Sequence, residues 1–389
     1  MYDLTQDIIF IGAEDDNLDL FEAQYPLVGG ISYNSFFIND EKPAIVDGVD
    51  IRRQEVWLAN INEAIRRAGK APEYIIIHHM EPDHSGGLRI LLERYPDLKI
   101  VCTAKAADML ANFFEDIDFS ESIIKVADGD TLSLGSHELK FLTAPMVHWP
   151  EVMMTIDLHD KVIFTSDAFG SFALSGAVTG WPDEARRYYA NIVGRFGASV
   201  QGILKKIAKE DIRIIAPLHG AVLRDNLDKY IRLYDKWSRY EAESDGILVA
   251  YASIYGGTAY VAQRVASMLR MKGASEVVLL DLCRHDVSYA VAEAWRFSRM
   301  VLCSVTYDAD VFPAMHNFLH HLQQKKLTDR TVALIENGSW APVAANTMRK
   351  TLDTMKNIHI IDPVISIRSR LHNADLPLLD QLADALLNS

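Results

Sequence analysis

The densest chemistry in the chain is the run YIIIHHMEPDHSGG, in which His78, His79, Glu81, Asp83 and His84 fall within seven residues of an apolar strand ending at Ile77. Imidazole and carboxylate side chains are the ligands that borderline and hard divalent metals share, so the segment reads as a metal-binding loop. A tight loop leaving a strand can bring such residues to one point, whereas a helix would spread them around its axis. Pro82 restricts Glu81 to an extended backbone, aiming Glu81 and Asp83 outward. Ser85-Gly86-Gly87 then lets the chain turn into a helix whose first amides favour negative charge. Taken singly, each of these residues is more often a solvated polar group, but five in seven positions after a buried strand favour a metal. His78 lies on the other side of the chain from His79 and reads as a structural or supporting residue.

Three further residues of ligand type follow apolar strands: His148 after FLTAPMV, Asp167 after KVIFTS and His219 after IRIIAPL. A lone histidine there is ordinarily a hydrogen-bonded polar residue, and a lone aspartate a turn cap. Their recurrence at strand ends alongside the loop cluster changes that weighting. A second chemical segment lies farther on. Ser253-Ile254-Tyr255-Gly256-Gly257-Thr258 separates the strand ILVAYA from a helix opening AYVAQRVA. Hydroxyls and glycines between strand and helix make a nest of free amides for a phosphate.

The elements that must position these residues obey two grammars. In the first half, DIIFIG, SYNSFFI and PAIVD follow one another closely, which predicts antiparallel pairing. A helix is predicted from about Arg52 to Ala68, then strands at YIII, KIVCTA, ELKFLTAP, EVMMTID and KVIFTSD, a long helical stretch from about Glu184 to Lys209, and a strand at IRIIAP. Mixed strands covered by helices imply an α/β sandwich. Residues from about Leu223 to Ser244 read as charged and helical, with Gly246 as helix stop and domain boundary. Beyond it, ILVAYAS, EVVLLD, MVLCSV, TVALIE and IHIID each precede a helix-length segment, which spells a parallel doubly wound sheet with ligands at its carboxyl edge. Two domains follow, residues 1–245 and 246–389, as the length of 389 residues also suggests.

The loop resembles the metal motif of the metallo-β-lactamase superfamily, whose zinc hydrolases carry H-x-H-x-D-H. Here the pattern is His79-x-Glu81-x-Asp83-His84, and a carboxylate in place of the second histidine is the flavodiiron signature. The downstream spacing agrees, with 63 residues between His84 and His148 and 18 between His148 and Asp167. The 51 residues between Asp167 and His219 are fewer than many members have, and no other histidine lies in that interval. The resemblance implies that His79, Glu81 and His148 hold one iron, that Asp83, His84 and His219 hold the other, and that Asp167 bridges them. In some members the histidine matching His84 does not ligate. Four imidazoles and three carboxylates also suit a ferrous pair that binds a small gas better than a zinc hydrolase site.

The second half resembles flavodoxin, whose phosphate loop reads [ST]-x-x-G-x-T. By that resemblance Ser253, Ile254, Tyr255, Gly256, Gly257 and Thr258 hold the phosphate of FMN. Ser304-Val305-Thr306-Tyr307-Asp308 would flank its ring, and Asn337-Gly338-Ser339-Trp340 would add backbone hydrogen bonds and an aromatic wall. Val305 stands where many relatives have proline. A dinucleotide-binding loop wants G-x-G-x-x-G and matches less well, although Asp281 does end the next strand.

The expected fold is thus a metallo-β-lactamase-like αββα sandwich followed by a flavodoxin-like five-stranded parallel sheet. The expected activity is an oxidoreductase reducing dioxygen to water or nitric oxide to nitrous oxide, with FMN and two bridged irons as cofactors. A zinc-dependent hydrolase fused to a flavodoxin-like domain is the rival, and a non-enzymatic electron carrier a more distant one. With no cysteine-rich extension before Ser389, a separate donor is expected, rubredoxin or a reduced deazaflavin. The resemblance implies a head-to-tail homodimer or a dimer of dimers. A net charge of −14 argues against nucleic acid and suits a small or locally basic redox partner. The N-terminus lacks a signal-peptide pattern and no apolar run approaches a membrane span, so neither membrane nor export is expected and the chain is placed in the cytoplasm. Cys102, Cys283 and Cys303 share no metal or redox spacing; Cys102 and Cys303 read as inert thiols in buried strands.

Overall fold

The computed structural model describes residues 1–119 and 121–389. It divides into two compact units, one of Met1–Tyr189 with Ala198–Asp235, the other of Ala190–Gly197 with Lys236–Ser389.

The first unit is built on two sheets. One has seven strands in the order Tyr2–Asp3, Ile8–Phe10, Phe36–Ile38, Ala44–Val46, Tyr74–Ile76, Lys99–Thr103 and Ile123–Val126. The other has five, Thr131–Ser133, Glu138–Thr143, Met153–Asp157, Val162–Phe164 and Ile214–Ala216. Phe36, Ile38, Val46, Ile76 and Val101 of the first sheet and Phe141, Met153, Val162 and Phe164 of the second form one buried cluster, the filling of a sandwich. A helix over Gln54–Ala68 buries Trp57, Leu58, Ile61 and Ala64, the stripe that 3.6-residue periodicity puts on one face. It ends at Gly69, whose left-handed backbone lets its N–H reach the Ile65 carbonyl.

Strand direction decides where the chemistry gathers. Tyr74–Ile76 runs parallel to its neighbours Ala44–Val46 and Lys99–Thr103, and Val162–Phe164 runs parallel to Ile214–Ala216. Met153–Asp157 runs antiparallel to Val162–Phe164, so the residues before it lie at the edge reached by the residues after its neighbour.

Several elements depart from the sequence reading. SYNSFFI is two strands, Ile31–Tyr33 pairing with Ala13–Asp15 and Phe36–Ile38 in the large sheet. The break falls at Asn34 and Ser35, which are fully buried; Asn34 donates to the carbonyls of Pro217 (2.7 Å) and Gly220 (2.9 Å), and Ser35 to that of Asp47 (2.7 Å). The stretch from Glu184 to Lys209 is not one helix: Trp181–Tyr188 is followed by a wide turn at Tyr189–Val193, a tight one at Gly194–Phe196, and a helix at Gly197–Ile207. Pro82–Ser85 is a single helical turn rather than an open loop. Gly246 is no helix stop, since it lies inside the strand Ser244–Ala252, where a Cβ would stand 2.3 Å from the Phe297 ring.

The second unit holds a sheet in the order Val277–Asp281, Ser244–Ala252, Phe297–Tyr307, Arg330–Asn337 and Ile358–Ile360, every pairing parallel, with Ile365–Ile367 also parallel to Arg330–Asn337. This is the 2-1-3-4-5 order of a doubly wound fold, whose ligands sit at the carboxyl edge. Ile247, Val249 and Tyr251 face a cluster with Val261, Val265 and Leu382 from the helices Gly257–Met271 and Leu376–Leu387. Leu248, Ala250 and Ala252 on the other face are buried as well, which is why the strands read as unbroken apolar runs. Phe297–Tyr307 runs longer than MVLCSV predicts. Its last residues pair with Asp310–Val311 through a two-residue turn at Asp308 and Ala309, both at positive φ, and the absence of glycine there hid the turn from sequence reading. No helix among the described residues is long and apolar enough to cross a membrane.

Candidate functional site

All seven ligand-type residues of the first unit converge. His148 Nε2 lies 3.1 Å from Glu81 Oε2 and 2.8 Å from Asp167 Oδ2, and His79 Nε2 lies 3.4 and 3.6 Å from the same two atoms. On the other side, Asp83 Oδ2 is 3.4 Å from His84 Nε2 and 3.3 Å from His219 Nε2, while Asp167 Oδ1 is 3.7 and 3.9 Å from those nitrogens. Asp167 therefore turns one oxygen to each of two groups, the disposition of a bridging carboxylate. His79, His84, Asp167 and His219 are each no more than 1% exposed. His78 is turned away: it meets the Asp47 carboxylate through Nδ1 and Thr155 Oγ1 at 2.8 Å through Nε2.

The far nitrogens of two imidazoles are already engaged. His219 Nδ1 donates to the Ser32 carbonyl at 2.8 Å, and His79 Nδ1 lies 3.2 Å from Ser166 Oγ. The Ser32 carbonyl can only accept, so the proton of a neutral His219 stays on Nδ1 and its Nε2 presents a lone pair inward. His79 Nε2, both oxygens of Asp83 and Asp167 Oδ1 are buried without a hydrogen-bond partner among the described residues. Orphaned buried polar atoms are costly, and a cation between them would satisfy them all. The Nε2 atoms of His84 and His219 are 3.0 Å apart, close to the spacing of two imidazoles on one ion with bonds of about 2.1 Å at a right angle. The residues present fit two metal ions.

Electrostatics agree. Burial works against a charged imidazole, yet the Asp167 and Glu81 carboxylates hold His79 at about 9 and His148 at about 10. Against the same penalty of burial, His148 and His79 hold Glu81 down at about 2, and His79 and His148 hold Asp167 well below the usual carboxylate range. Protons thus stand in for cations in the metal-free site. Partial desolvation in the cavity wall, aided by the charge on Glu81, raises Glu22 above the ordinary carboxylate value although the residue as a whole is exposed. Glu22 shares with Phe21, Tyr33, Arg52, Glu81 and Asp83 a cavity of about 480 Å³.

Sequence reading missed the residues that hold this group in place. Tyr188 donates to Asp167 Oδ2 at 3.0 Å; Ser32, Ser166 and Glu22 were passed over too. Ser166 stood beside Asp167 at a strand end and was within reach of a pattern argument, while nothing in RRYYA signals that Tyr188 meets Asp167. Glu151 was also missed, and its Oε1 accepts from the Met80 amide at 2.8 Å, pinning the loop between His79 and Glu81.

In the second unit the three cofactor segments meet at one edge. Ala252 is level with Ser304, and Val305 with Asn337, across neighbouring strands. Ser253, Ile254, Tyr255, Gly256, Gly257 and Thr258 thus leave the sheet beside Ser304–Asp308 and Asn337–Trp340. Thr306 Oγ1 accepts from the Val343 amide at 2.9 Å, and Asn337 Nδ2 donates to the Ser369 carbonyl at 3.3 Å. Gly256 caps a 15-residue helix with φ +86 and no side-chain cap, so its first amides are free for an anion. A Cβ on Gly257 would lie 2.7 Å from the Ser369 carbonyl, and Ser253 Oγ is buried without a partner among the described residues. Tyr307 is 45% exposed and Trp340 87%, two open aromatic faces at the rim. These features fit a phosphate-bearing planar ligand such as FMN. Arg368 and Ser369, which follow Ile365–Ile367, complete the edge and were not anticipated; Arg368 donates to the Trp340 carbonyl at 2.8 Å and Ser369 to Ser339 Oγ at 2.9 Å. The short alternation ISI was their only signal.

Comparison with known proteins follows the same outline. Residues 31–220 match the ODP family beta lactamase. A nitric oxide reductase of Moorella thermoacetica is 28% identical over 92% of this chain and 91% of its own length. An anaerobic nitric oxide reductase flavorubredoxin of Aliivibrio fischeri is 28% identical over 90% of this chain and 72% of its own. Among solved structures, rubredoxin oxygen:oxidoreductase from Desulfovibrio gigas superposes with a TM-score of 0.91 at 22% identity, covering 99% of this chain and 97% of that one. The flavodiiron protein from Giardia intestinalis gives 0.91 at 24%, covering 100% and 95%.

Proposed function

Because the chain carries the flavodiiron fold, with an ODP-type beta-lactamase domain over residues 31–220, we propose that it is an oxidoreductase reducing dioxygen or nitric oxide at a two-iron centre fed by FMN. One observation carries the reading: Asp167 turns Oδ2 to His79 and His148, beside Glu81, and Oδ1 to His84 and His219, which Asp83 also faces, though His79 also lies near the second group. In this proposal each three-residue set would hold one iron, with Asp167 shared between them. Residues 1–245 supply the metal centre and 246–389 the flavin site, with Ser253–Thr258 on the phosphate and Ser304–Asp308 and Asn337–Trp340 around the ring. Those flavin-site residues would hold FMN as a one- and two-electron carrier fed by a separate donor such as rubredoxin or a reduced deazaflavin, and the seven ligands would hold irons that supply redox chemistry toward the gas.

The chain's own residues account for the rest. The Ser32 carbonyl fixes the His219 tautomer, Ser166 Oγ steadies the His79 ring at Nδ1, and Tyr188 holds Asp167 Oδ2 by its hydroxyl. We further propose a cytoplasmic location and a head-to-tail homodimer or dimer of dimers.

The test is metal content with gas consumption by photoreduced protein, supplied anaerobically with each gas in turn. Two irons per chain and turnover of dioxygen or nitric oxide support the proposal; two zincs and no turnover favour a hydrolase. Glu81→His sharpens the choice. It removes an anionic oxygen ligand and restores the commoner zinc pattern, so it should shift metal content toward zinc and lower gas turnover at least tenfold with little change in folding. Undiminished turnover in a fully zinc-loaded Glu81→His variant would sink the iron reading.

A further inference from the structure

We propose that the first unit carries a second metal site, separate from the seven-residue centre, in which His137, His159 and Asp160 bind one divalent cation of the zinc type. One ring nitrogen of each histidine and one Asp160 oxygen lie within 4.8 Å of one another. The three residues come from two turns of the five-stranded sheet. His137 closes the turn between Thr131–Ser133 and Glu138–Thr143, and His159 and Asp160 form the turn between Met153–Asp157 and Val162–Phe164.

His137 gives the site its direction. Its side chain is 1% exposed, and its Nδ1 lies 3.0 Å from Oδ1 of the fully buried Asp157. The proton of a neutral ring therefore stays on Nδ1, and the lone pair is left on Nε2, the carboxylate–histidine arrangement that prepares an imidazole for a metal. That Nε2 is buried and has no hydrogen-bond partner among the described residues; Asp7 Oδ2 stands 3.7 Å away, too far for a hydrogen bond and suitably placed as a further oxygen donor. A histidine serving only as an ion-pair partner of Asp157 would not leave a buried nitrogen without a hydrogen-bond partner beside a second carboxylate, in a ring packed against a second imidazole.

The neighbours are prepared as well. The His137 and His159 rings lie 4.5 Å apart between centroids, and His159 Nδ1 is 3.1 Å from Asp160 Oδ1. Asp157 also accepts from the Asp160 amide at 2.9 Å, so one buried carboxylate orders both His137 and the turn carrying the other two ligands. Thr5 donates to Asp160 Oδ2, which ties the N-terminal turn to the same point and leaves Oδ1 toward His159. Two imidazoles with one or two carboxylates suit a borderline cation such as Zn²⁺, and His159 at 49% exposure gives it a way in. Asp160 and Asp167 flank the strand Val162–Phe164 at opposite ends, seven residues apart, which separates the two sites by on the order of 20 Å. A cation here would clamp the N-terminal turn to two turns of the smaller sheet.

Equilibrium dialysis of the iron- and FMN-loaded protein against zinc chloride, with both metals counted by elemental analysis, tests this. Wild type should take up one zinc per chain with its iron unchanged. His159→Ala and Asp160→Asn, both at accessible positions, should each lower zinc affinity tenfold or more while iron, FMN and gas turnover stay at wild-type levels. Co²⁺ as probe should give visible bands of a nitrogen- and oxygen-bound ion in wild type and lose them in His159→Ala. The readout is the difference between wild type and variants, so it holds whichever metal fills the seven-residue centre. No zinc taken up, zinc gained only against an equal loss of iron, or uptake unchanged in both variants overturns the proposal.

Discussion

At the scale of single residues, one carboxylate organises the metal centre. Asp167 is the only side chain among the described residues whose two oxygens face different ligand groups, so Asp167→Asn should lower iron content at least to half while FMN stays stoichiometric. Equal loss of both cofactors would count against a division of labour between the units. The protons that substitute for metal give a second expectation. At neutral pH the metal-free protein carries protons on His79, held at about 9, and His148, held at about 10, and an incoming cation must displace them. Apparent Co²⁺ affinity should therefore rise by roughly tenfold per pH unit for each proton displaced between pH 6 and 8, and level off near 9 to 10. The sign for stability is opposite. These raised imidazoles stabilise the metal-free fold fully below their ordinary value of 6.5, and that contribution is lost as pH climbs through 9 and 10. A Co²⁺ affinity flat across this range would show that the imidazoles bind already neutral.

At the scale of elements, strand ends and turns do the positioning. The loop between Ser244–Ala252 and Gly257–Met271 lies against the Ser369 carbonyl with no room for a side chain on Gly257. Gly257→Val should therefore weaken FMN binding a hundredfold or more, leave iron in place, and cost a few kcal/mol of stability in the second unit, as overpacking against fixed backbone does. Flavin fluorescence quenching and a melting curve together check it. Full FMN occupancy in this variant would remove the loop from the flavin site. The hairpin at Tyr307 and Asp310 shows the same principle, since its turn, not the strand, decides where the Tyr307 ring stands.

At the scale of the whole molecule, the proposed head-to-tail assembly makes a claim that single variants cannot reach. If electrons pass from the flavin of one chain to the metals of another, two inactive variants should rescue each other. Co-expressed Asp167→Asn and Gly257→Val chains should form mixed dimers in which the intact flavin of one chain serves the intact metals of the other, recovering gas turnover that neither homodimer has. Mixed dimers without recovered turnover would exclude transfer between chains. The comparison also limits salt effects: a chain of net charge −14 should show donor-dependent turnover that changes with ionic strength, whereas the photoreduced assay should not.

Much of this protein was legible in the sequence because the signals were local. Five ligand-type residues within seven positions, a glycine pair between strand and helix, and apolar runs at regular spacing each report a backbone preference or a chemical capacity carried by neighbouring residues. These announced the two sandwich sheets, the parallel second sheet and the seven candidate ligand positions of the metal centre, but not His137, His159 and Asp160. The tertiary structure alone decided what depends on contacts between distant segments. Strand polarity brought His148, from the connection that leads into an antiparallel strand, to the same edge as Asp167 and His219. Buried side-chain hydrogen bonds at Asn34 and Ser35 split a strand that periodicity reads as one. Tyr188 meets Asp167, and Ser369 closes on Gly257, for reasons that no spacing encodes. The periodicity of a chain specifies which faces must be buried, but the partner across each buried face is chosen only when the whole set of strands is packed and its polar groups are satisfied together.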